Sequence, residues 1–170
     1  MDRKLGTKIL VVGVSASGKS LFSRKLSEKV NIPVTHMDAI MWQPGWKYVG
    51  DEVTNTELMK ISEAHTWLIE GYITKASRPE LFDRADTIVY LNYSGFLSAY
   101  RYLKRVIKHA KTPREELKGS PDSFSFTFLW LVFTKGESTT LNEYLSCVKD
   151  QNKIIRFHSP KEADIFLRSL

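Results

Sequence analysis

The chain has 170 residues, of which 42% are apolar and 26% are charged. This length and composition predict one folded domain over residues 1–170 and exclude a low-complexity, disordered protein. The single cysteine, Cys147, excludes an intramolecular disulfide and a cysteine-based metal cluster. The chain shows no signal-peptide pattern at its start, and its densest apolar segment, 124–133, is too short to span a bilayer, so we expect a cytoplasmic protein without a membrane partner.

The formal net charge of +6 is concentrated in one segment. Residues 94 to 118 contain seven cations and two anions, which leaves the rest of the chain close to neutral. The seven cations are Arg101, Lys104, Arg105, Lys108, Lys111, Arg114 and Lys118. A single basic segment of this kind suits a polyphosphate as well as it suits DNA, so both partners stay open.

The first predicted element is a buried strand, Lys8 to Val12, which leads at once into a glycine-rich turn. The turn fits the pattern G-x-x-x-x-G-K-[ST] and precedes an amphipathic helix, Ser20 to Val30. In this setting backbone N–H groups converge on phosphate oxygens, so the pattern predicts a nucleotide site. Lys19 is expected to reach the β and γ phosphates and act in catalysis, while the Ser20 hydroxyl is expected to bind Mg²⁺. The predicted ATP-binding residues are Gly13, Ser15, Ala16, Ser17, Gly18, Lys19, Ser20 and Leu21.

The second predicted strand, Pro33 to His36, is followed by Asp38 at the carboxyl edge of the sheet. We hypothesise that Asp38 orients or deprotonates the acceptor hydroxyl; the alternative is a solvated carboxylate or a helix cap. Trp42 and Trp46 are separated by Gln-Pro-Gly in a stretch without clear periodicity. These two rings are predicted either to stack on a substrate or to belong to the core.

The third predicted strand, Trp67 to Ile69, is followed by Glu70 and Gly71. Glu70 is the candidate carboxylate for Mg²⁺ and its water shell, because magnesium sites in phosphoryl transfer use a carboxylate at a neighbouring strand end. Gly71, together with Lys75 and Arg78 in the segment after it, is a candidate for contact with an anionic acceptor.

The fourth predicted strand, Thr87 to Leu91, precedes a long helix from Phe96 to about Lys111. One apolar stripe of this helix is predicted to face the core: Phe96, Tyr100, Leu103 and Ile107. Arg101 and Arg105 are four residues apart and share a helix face, so we predict that they stabilise the transferring phosphate and belong to a lid segment at about 101–136. The alternative is a solvated basic face without a ligand.

A fifth strand is predicted from Lys153 to Phe157. Five short apolar strands that alternate with helices predict a parallel sheet covered on both faces, a three-layer α/β/α fold that binds ligands at the carboxyl ends of its strands.

Several motifs together resemble the FlaR-like topology modulation proteins, small P-loop proteins related to adenylate kinase. The resemblance covers most of the chain. Its motifs are Gly13 to Ser20, His36-Met37-Asp38, Trp42-Gln43-Pro44-Gly45-Trp46, Trp67-Leu68-Ile69-Glu70-Gly71, Ala85-Asp86-Thr87-Ile88, Tyr100-Arg101 with Lys104-Arg105, and Ser159-Pro160-Lys161-Glu162.

This resemblance implies a nucleoside-monophosphate-kinase-like fold with a helical lid. It implies that Glu70 supports Mg²⁺ and that Arg101 and Arg105 bind phosphates. It also makes the segment after the last strand, His158, Ser159 and Pro160, a candidate contact for the adenine base.

Three functions stay open at this point. The first is an Mg²⁺- and ATP-dependent kinase that transfers the γ-phosphate to a small acceptor, either a nucleotide or a hydroxylated metabolite. The second is a nucleotide-binding regulator that contacts DNA through the basic segment, as the name of the resembling family suggests. The third is an ATPase or a catalytically degenerate nucleotide binder.

Overall fold

The structure is a computed structural model that describes residues 5–117 and 119–170. Met1 to Lys4 and Lys118, a member of the predicted basic segment, lie outside the described residues. The described strands are β1 (Lys8–Gly13), β2 (Val34–His36), β3 (Trp42–Gln43), β4 (Lys47–Tyr48), β5 (Trp67–Glu70), β6 (Thr87–Leu91) and β7 (Ile154–Phe157). The described α-helices are α1 (Lys19–Val30), α2 (Met37–Met41), α3 (Asp51–Ser62), α4 (Arg78–Arg84), α5 (Gly95–His109), α6 (Phe126–Phe133), α7 (Ser138–Ser146) and α8 (Pro160–Ser169), with short 3-10 turns at Glu115–Leu117 and Gln151–Lys153. None of the helices in these ranges is long and apolar enough to cross a membrane.

Within the described residues a five-stranded sheet has the order β2-β5-β1-β6-β7, and all its pairings are parallel. The five predicted strands are confirmed, each with both bounds within one residue. The strand β1 lies at the centre, between β5 and β6. The strands β2 and β5 lie on one side of β1 and the strands β6 and β7 on the other, so the strand order switches sides at β1, beside the P-loop. Such a switch places a ligand crevice at the carboxyl ends of the strands.

Helices cover both faces of the sheet, as the predicted three-layer α/β/α fold requires. Side chains of β1 alternate between two apolar clusters: Leu10 belongs to one cluster and Ile9 to the other. The cluster with Leu10 includes residues of α3, α4 and α7, and the cluster with Ile9 includes residues of α1 and α8. Burial on both faces explains why the strands are nearly uninterrupted apolar runs. The short β3–β4 hairpin lies apart from this sheet.

The long helix α5 does not pack through the predicted apolar stripe, and that prediction is wrong. Phe96 and Ile107 are 76% and 81% exposed, and Tyr100 and Leu103 are exposed as well. The buried residues of α5 are Gly95, Ser98, Ala99 and Tyr102. Small residues let another backbone approach closely: a Cβ at Gly95 would lie 1.8 Å from the carbonyl oxygen of Phe133 in α6. The close packing of α6 therefore decides which face of α5 is buried.

The predicted lid segment, about 101–136, covers most of α5, the 3-10 turn and α6. Between the two α-helices the chain turns back towards the β3–β4 hairpin, where Gly45 N–H donates to the carbonyl oxygen of Gly119 at 3.1 Å. The helices α5 and α6 run antiparallel, because Gly95 lies beside Phe133 at one end and Asp122 N–H donates to His109 O at the other. The predicted lid segment thus forms a helical hairpin with a connecting segment.

Candidate functional site

A cleft of about 1280 Å³ opens at the carboxyl edge of the sheet. Its floor is the P-loop between β1 and α1, and its walls come from α2, α5 and the segment after α5. All eight residues of the P-loop segment that were predicted to bind ATP line it. Because the strands are parallel, the residues that follow β1, β2 and β5 reach the same edge, which gathers the predicted chemistry around one cavity.

Lys19 lies over the P-loop. Its Nζ donates to the carbonyl oxygens of Gly13 and Val14, each at 2.9 Å. These two hydrogen bonds hold the ammonium group at the phosphate-binding loop, where the motif predicts that it meets the β and γ phosphates. Gly18, the second glycine of the motif, has φ +96°, a left-handed conformation that residues with a side chain rarely adopt.

A carboxylate from outside the motif also contacts this loop. Glu137, just before α7, accepts a hydrogen bond from Ser15 N–H at 2.6 Å and another from Ser15 Oγ at 2.8 Å. The contact joins residues that are 122 positions apart, and Glu137 was not a predicted site residue. No sequence signal we used could have found it, because only the packing of α7 brings this carboxylate to the loop.

Glu70 and Ser20, the two predicted magnesium ligands, come together with a third residue, His36. Glu70 is 3% exposed, and its Oε1 lies 2.6 Å from His36 Nδ1. Burial by itself would raise the pKa of Glu70, but the hydrogen bond with His36, the charge of Lys19 and the Ser20 hydroxyl outweigh it and hold that pKa below its usual range. The same hydrogen bond raises the pKa of His36. A buried, ionised carboxylate beside a hydroxyl suits Mg²⁺, which is usually held by one or two carboxylates together with phosphates and water.

His36 could have been found from the sequence. Both His36 and Glu70 end their strands, and the parallel register of β2 and β5 pairs them directly. Only the strand order was missing, because β2 and β5 are neighbours in the sheet but not in the chain. Among the described residues, those of this site included, no cluster of three or more His, Cys, Asp or Glu residues is arranged to hold a metal ion.

Arg101 reaches from α5 to the P-loop. Its guanidinium donates to the carbonyl oxygen of Ser17, and its Cζ lies 5.3 Å from the centre of the Tyr93 ring. Burial raises the pKa of Tyr93 to about 12, so this ring stays neutral beneath the cation. Arg101 thus lies where a positive charge can meet phosphate oxygens.

Arg105 faces the same cleft but has a different partner. Its Nε lies 3.5 Å from Oδ2 of Asp122, a buried carboxylate. Asp122 also lies 3.3 Å from Nε of Arg114, whose Nη1 in turn lies 3.4 Å from Oδ2 of Asp38. Burial lowers the pKa of Arg105, and the charge of Asp122 opposes this effect. Asp38 is therefore linked through Arg114 and Asp122 to Arg105 on α5. Neither Asp122 nor Arg114 was a predicted site residue.

The two tryptophans border the cleft and contact the lid. Their ring centres are 5.7 Å apart at an angle of 73°. Trp46 Nε1 donates to the carbonyl oxygen of Pro121 at 2.8 Å, and Arg114 lies over the Trp46 ring at 5.9 Å. Trp42 packs against the core cluster that contains Leu10. The two tryptophans therefore border the cleft and also make structural contacts, whereas substrate stacking and a core position were predicted only as alternatives.

Several predicted contacts lie elsewhere. Lys75 is exposed and does not line the cleft, whereas Gly71 does. Arg78 is buried: its Nε donates to Ile73 O at 2.8 Å, and its guanidinium lies between the rings of Tyr72 and Tyr144. Arg78 does not line the cleft, because the start of α4 directs its side chain into the interior, where aromatic rings enclose it.

The predicted adenine segment is divided in the same way. Pro160 lines the cleft, but His158 and Ser159 do not. Ser159 is the N-cap residue of α8, and its Oγ accepts a hydrogen bond from Glu162 N–H. The Glu162 carboxylate accepts a hydrogen bond from His158 N–H. The hydroxyl of Ser159 serves the helix because the four first N–H groups of a helix need acceptors.

The fold and the cleft define a P-loop kinase-like α/β protein. No family model matches the chain, and no curated protein matches it. Solved structures of similar fold include a candidate kinase from Chloroflexus aurantiacus, with 19% identity, 98% of this chain and 97% of that chain covered and a TM-score of 0.58. Shikimate kinase from Bacteroides thetaiotaomicron matches with 16% identity, 95% and 94% coverage and a TM-score of 0.59. A gluconokinase from Sinorhizobium meliloti matches with 18% identity, 98% and 90% coverage and a TM-score of 0.53.

These likenesses show the fold. They include kinases of small molecules, which agrees with the kinase-like fold predicted from the sequence. They do not show the FlaR-like family, so that resemblance stays a prediction.

Proposed function

We propose that this chain is an ATP-dependent phosphotransferase that transfers the γ-phosphate to a hydroxyl group of a small acceptor. The observation that carries this proposal is the convergence of four features on one cleft: the P-loop with Lys19, the buried Glu70, the P-loop contact of Arg101, and Asp38 on the lid side. Phosphoryl transfer depends mainly on positioning and charge neutralisation, and these residues supply both.

In the proposed step the acceptor oxygen forms a bond to the γ phosphorus while the bond to the β–γ bridging oxygen breaks. ADP leaves, and the proton of the acceptor hydroxyl passes to Asp38. Lys19 and Arg101 neutralise the charge on the phosphate oxygens. Arg114 lies 3.4 Å from Asp38 and keeps the carboxylate oriented.

Ser20 and Glu70 are the residues that would hold Mg²⁺. Glu70 fits because it is buried, its pKa is lowered and it interacts with Ser20. An ion held there would supply positive charge to offset the negative charge of the phosphate groups. His36 contributes by holding one carboxylate oxygen of Glu70 in place.

The DNA-binding alternative loses support from the contacts of the basic segment. Arg101 contacts the P-loop, and Arg105 and Arg114 are paired with Asp122. Lys104 and Lys108 on α5 and Lys111 after it remain exposed, and so few cations give a weak, salt-sensitive affinity for duplex DNA. The ATPase alternative uses the same P-loop and is separated from the kinase by experiment.

The test is a coupled assay for ADP with Mg²⁺ and ATP, run with and without each member of a panel of nucleoside monophosphates and hydroxylated metabolites. A kinase produces ADP that depends on one acceptor. ADP that forms equally without any acceptor indicates an ATPase, and no turnover with any panel member contradicts the proposal.

Variants connect the assay to the site. Lys19→Met is expected to abolish turnover, whereas Lys29→Met, an exposed lysine later on the same helix, is the matched control and should leave it unchanged. Asp38→Asn is expected to retain ATP binding and to lower kcat by roughly 100-fold or more, as the loss of a general base does. Equal kcat in Asp38→Asn and wild type would remove the assigned role.

A further inference from the structure

The lid hairpin presents an apolar surface that the proposed catalysis does not use. The surface, here called the back face, is formed by one stripe on α5 and one on α6. Its residues are Phe96, Tyr100, Leu103, Ile107, Phe126, Trp130 and Phe133. All seven are exposed, and within each helix they recur at intervals of three or four residues, so each stripe is one continuous helix face.

Both stripes point away from the cleft. On α5, Arg101 and Arg105 line the cleft, and the apolar stripe lies on the other side of the helix. On α6, Phe128 lines the cleft and contacts Arg105, while Phe126 and Trp130 lie on the opposite face. The back face therefore belongs neither to the nucleotide site nor to the acceptor site.

The size of the back face indicates a protein partner. Large apolar side chains have roughly 150–250 Å² each, so the exposed fractions of the seven residues together amount to roughly 800 Å². The largest apolar patch of a typical monomer is about 300–600 Å². A stable protein–protein interface hides roughly 800 Å² on each partner, so one back face equals one half of a standard dimer interface.

The composition of the back face indicates that the partner is a second copy. The stripe on α6 lies in a helix without a charged residue, and five of the seven residues of the back face are aromatic. Interface centres are enriched in aromatic residues and depleted of charge. A face without charge is self-complementary under two-fold symmetry, because no side chain meets a like charge. Of the exposed cations of α5, Lys104 lies over the Tyr100 ring at 5.8 Å and would lie at a polar rim of the back face. Lys108 lines the cleft on the other side of the helix.

We propose that two copies of this chain associate through the back faces of their α5–α6 hairpins, which leaves both clefts open. The association removes the apolar stripe of α5 from water. The sequence predicts that this stripe is buried, but the single chain leaves it exposed. Aromatic side chains of α6 at the centre would contribute most of the binding free energy.

The test measures mass in solution by sedimentation over a concentration series. The wild type is expected at twice the monomer mass of 19.6 kDa. In the double variant Ile107→Glu and Phe126→Glu, each substitution is expected to raise the dissociation constant of the dimer by about thirty-fold, the effect of losing one interface hot spot. Both positions are at least 71% exposed, so the fold tolerates the change, which far-ultraviolet circular dichroism and the melting temperature verify. Ile165→Glu on α8, 58% exposed, is the matched control and should stay dimeric.

A second measurement does not depend on the charged variants. Trp130 is 60% exposed in the single chain, and its burial in the dimer should shift fluorescence to shorter wavelength as concentration rises, a shift that Trp130→Phe should abolish. A wild type that stays monomeric, or a dimer unaffected by the double variant, overturns the proposal. Binding of a monomer to vesicles of phosphatidylcholine with phosphatidylserine, lost in the double variant, overturns it in favour of a membrane surface.

Discussion

Replacement of His36 by leucine removes the hydrogen-bond partner of a buried carboxylate. In the wild type, His36 Nδ1 lies 2.6 Å from Glu70 Oε1, and Glu70 is 3% exposed. A hydrogen bond to a charged group contributes about 1.5–3 kcal/mol, so we expect His36→Leu to lower the free energy of unfolding by about 2 kcal/mol at pH 6. For a domain of this length that corresponds to a decrease in melting temperature of about 4–8 °C.

The pH dependence gives the prediction a sign. The folded-state pKa of His36 is raised from 6.5, so the stabilisation by its protonated form is fully present below pH 6.5 and is lost as pH rises through the folded pKa. The folded-state pKa of Glu70 is lowered from 4.5, so its contribution is present above pH 4.5 and is lost as pH falls through the folded pKa. The difference between wild type and His36→Leu should therefore be largest between about pH 4.5 and 6.5 and decrease as pH rises through the folded-state pKa of His36.

The assay is urea unfolding of four proteins: wild type, His36→Leu, Glu70→Gln and the double variant. A coupling energy of about 2 kcal/mol at pH 6 is expected, because the second change costs little once the pair is broken. His65→Leu, an exposed histidine before β5, is the control and should change stability by less than about 0.5 kcal/mol. Additive effects, or a difference that is constant from pH 5.5 to 9, would refute the assignment of the pair.

Three further outcomes follow from the cleft. Gly18→Ala places a side chain at φ +96° and ψ 23°, at a cost of about 1–2 kcal/mol in stability, and its new Cβ approaches the guanidinium of Arg101 at 2.9 Å. Gly50→Ala places one at φ +97° and ψ 155°, a region that is open essentially only to glycine, at a cost of about 1–3 kcal/mol and without a neighbour within 4 Å. Gly50→Ala should therefore be destabilised at least as much in unfolding measurements, while a turnover loss of about tenfold or more is expected in Gly18→Ala alone. Glu137→Gln removes a negative charge from the P-loop and should tighten ATP binding by about 2–10-fold in calorimetry, whereas unchanged or weaker binding would contradict that role. Asp122→Asn removes the buried carboxylate that lies between the half-buried Arg105 and Arg114 and leaves Asp38 as the remaining partner of Arg114, so it should destabilise the chain by about 3 kcal/mol in urea unfolding; a loss below about 1 kcal/mol would show that the pairing is dispensable.

The α5 helix illustrates why a correct element was given the wrong orientation. Its apolar stripe is regular, and periodicity alone indicates that such a stripe faces a core. The structure instead buries Gly95, Ser98 and Ala99, because α6 packs closely on the small residues. Periodicity identifies a face that avoids water but does not name the surface that covers it, and in our proposal that surface is a second copy.

The sequence by itself determined the five strands, the P-loop and the gathering of strand-end residues at one edge, because local periodicity and motif spacing are properties of neighbouring residues. The tertiary structure decided which strands are adjacent, and with that the pairing of His36 with Glu70. It also decided the contacts of Glu137 with the P-loop and of Asp122 with two arginines, since these join parts of the chain with no shared local pattern. Long-range electrostatic contacts depend on how helices pack, and helix packing is set by the whole chain rather than by any one segment.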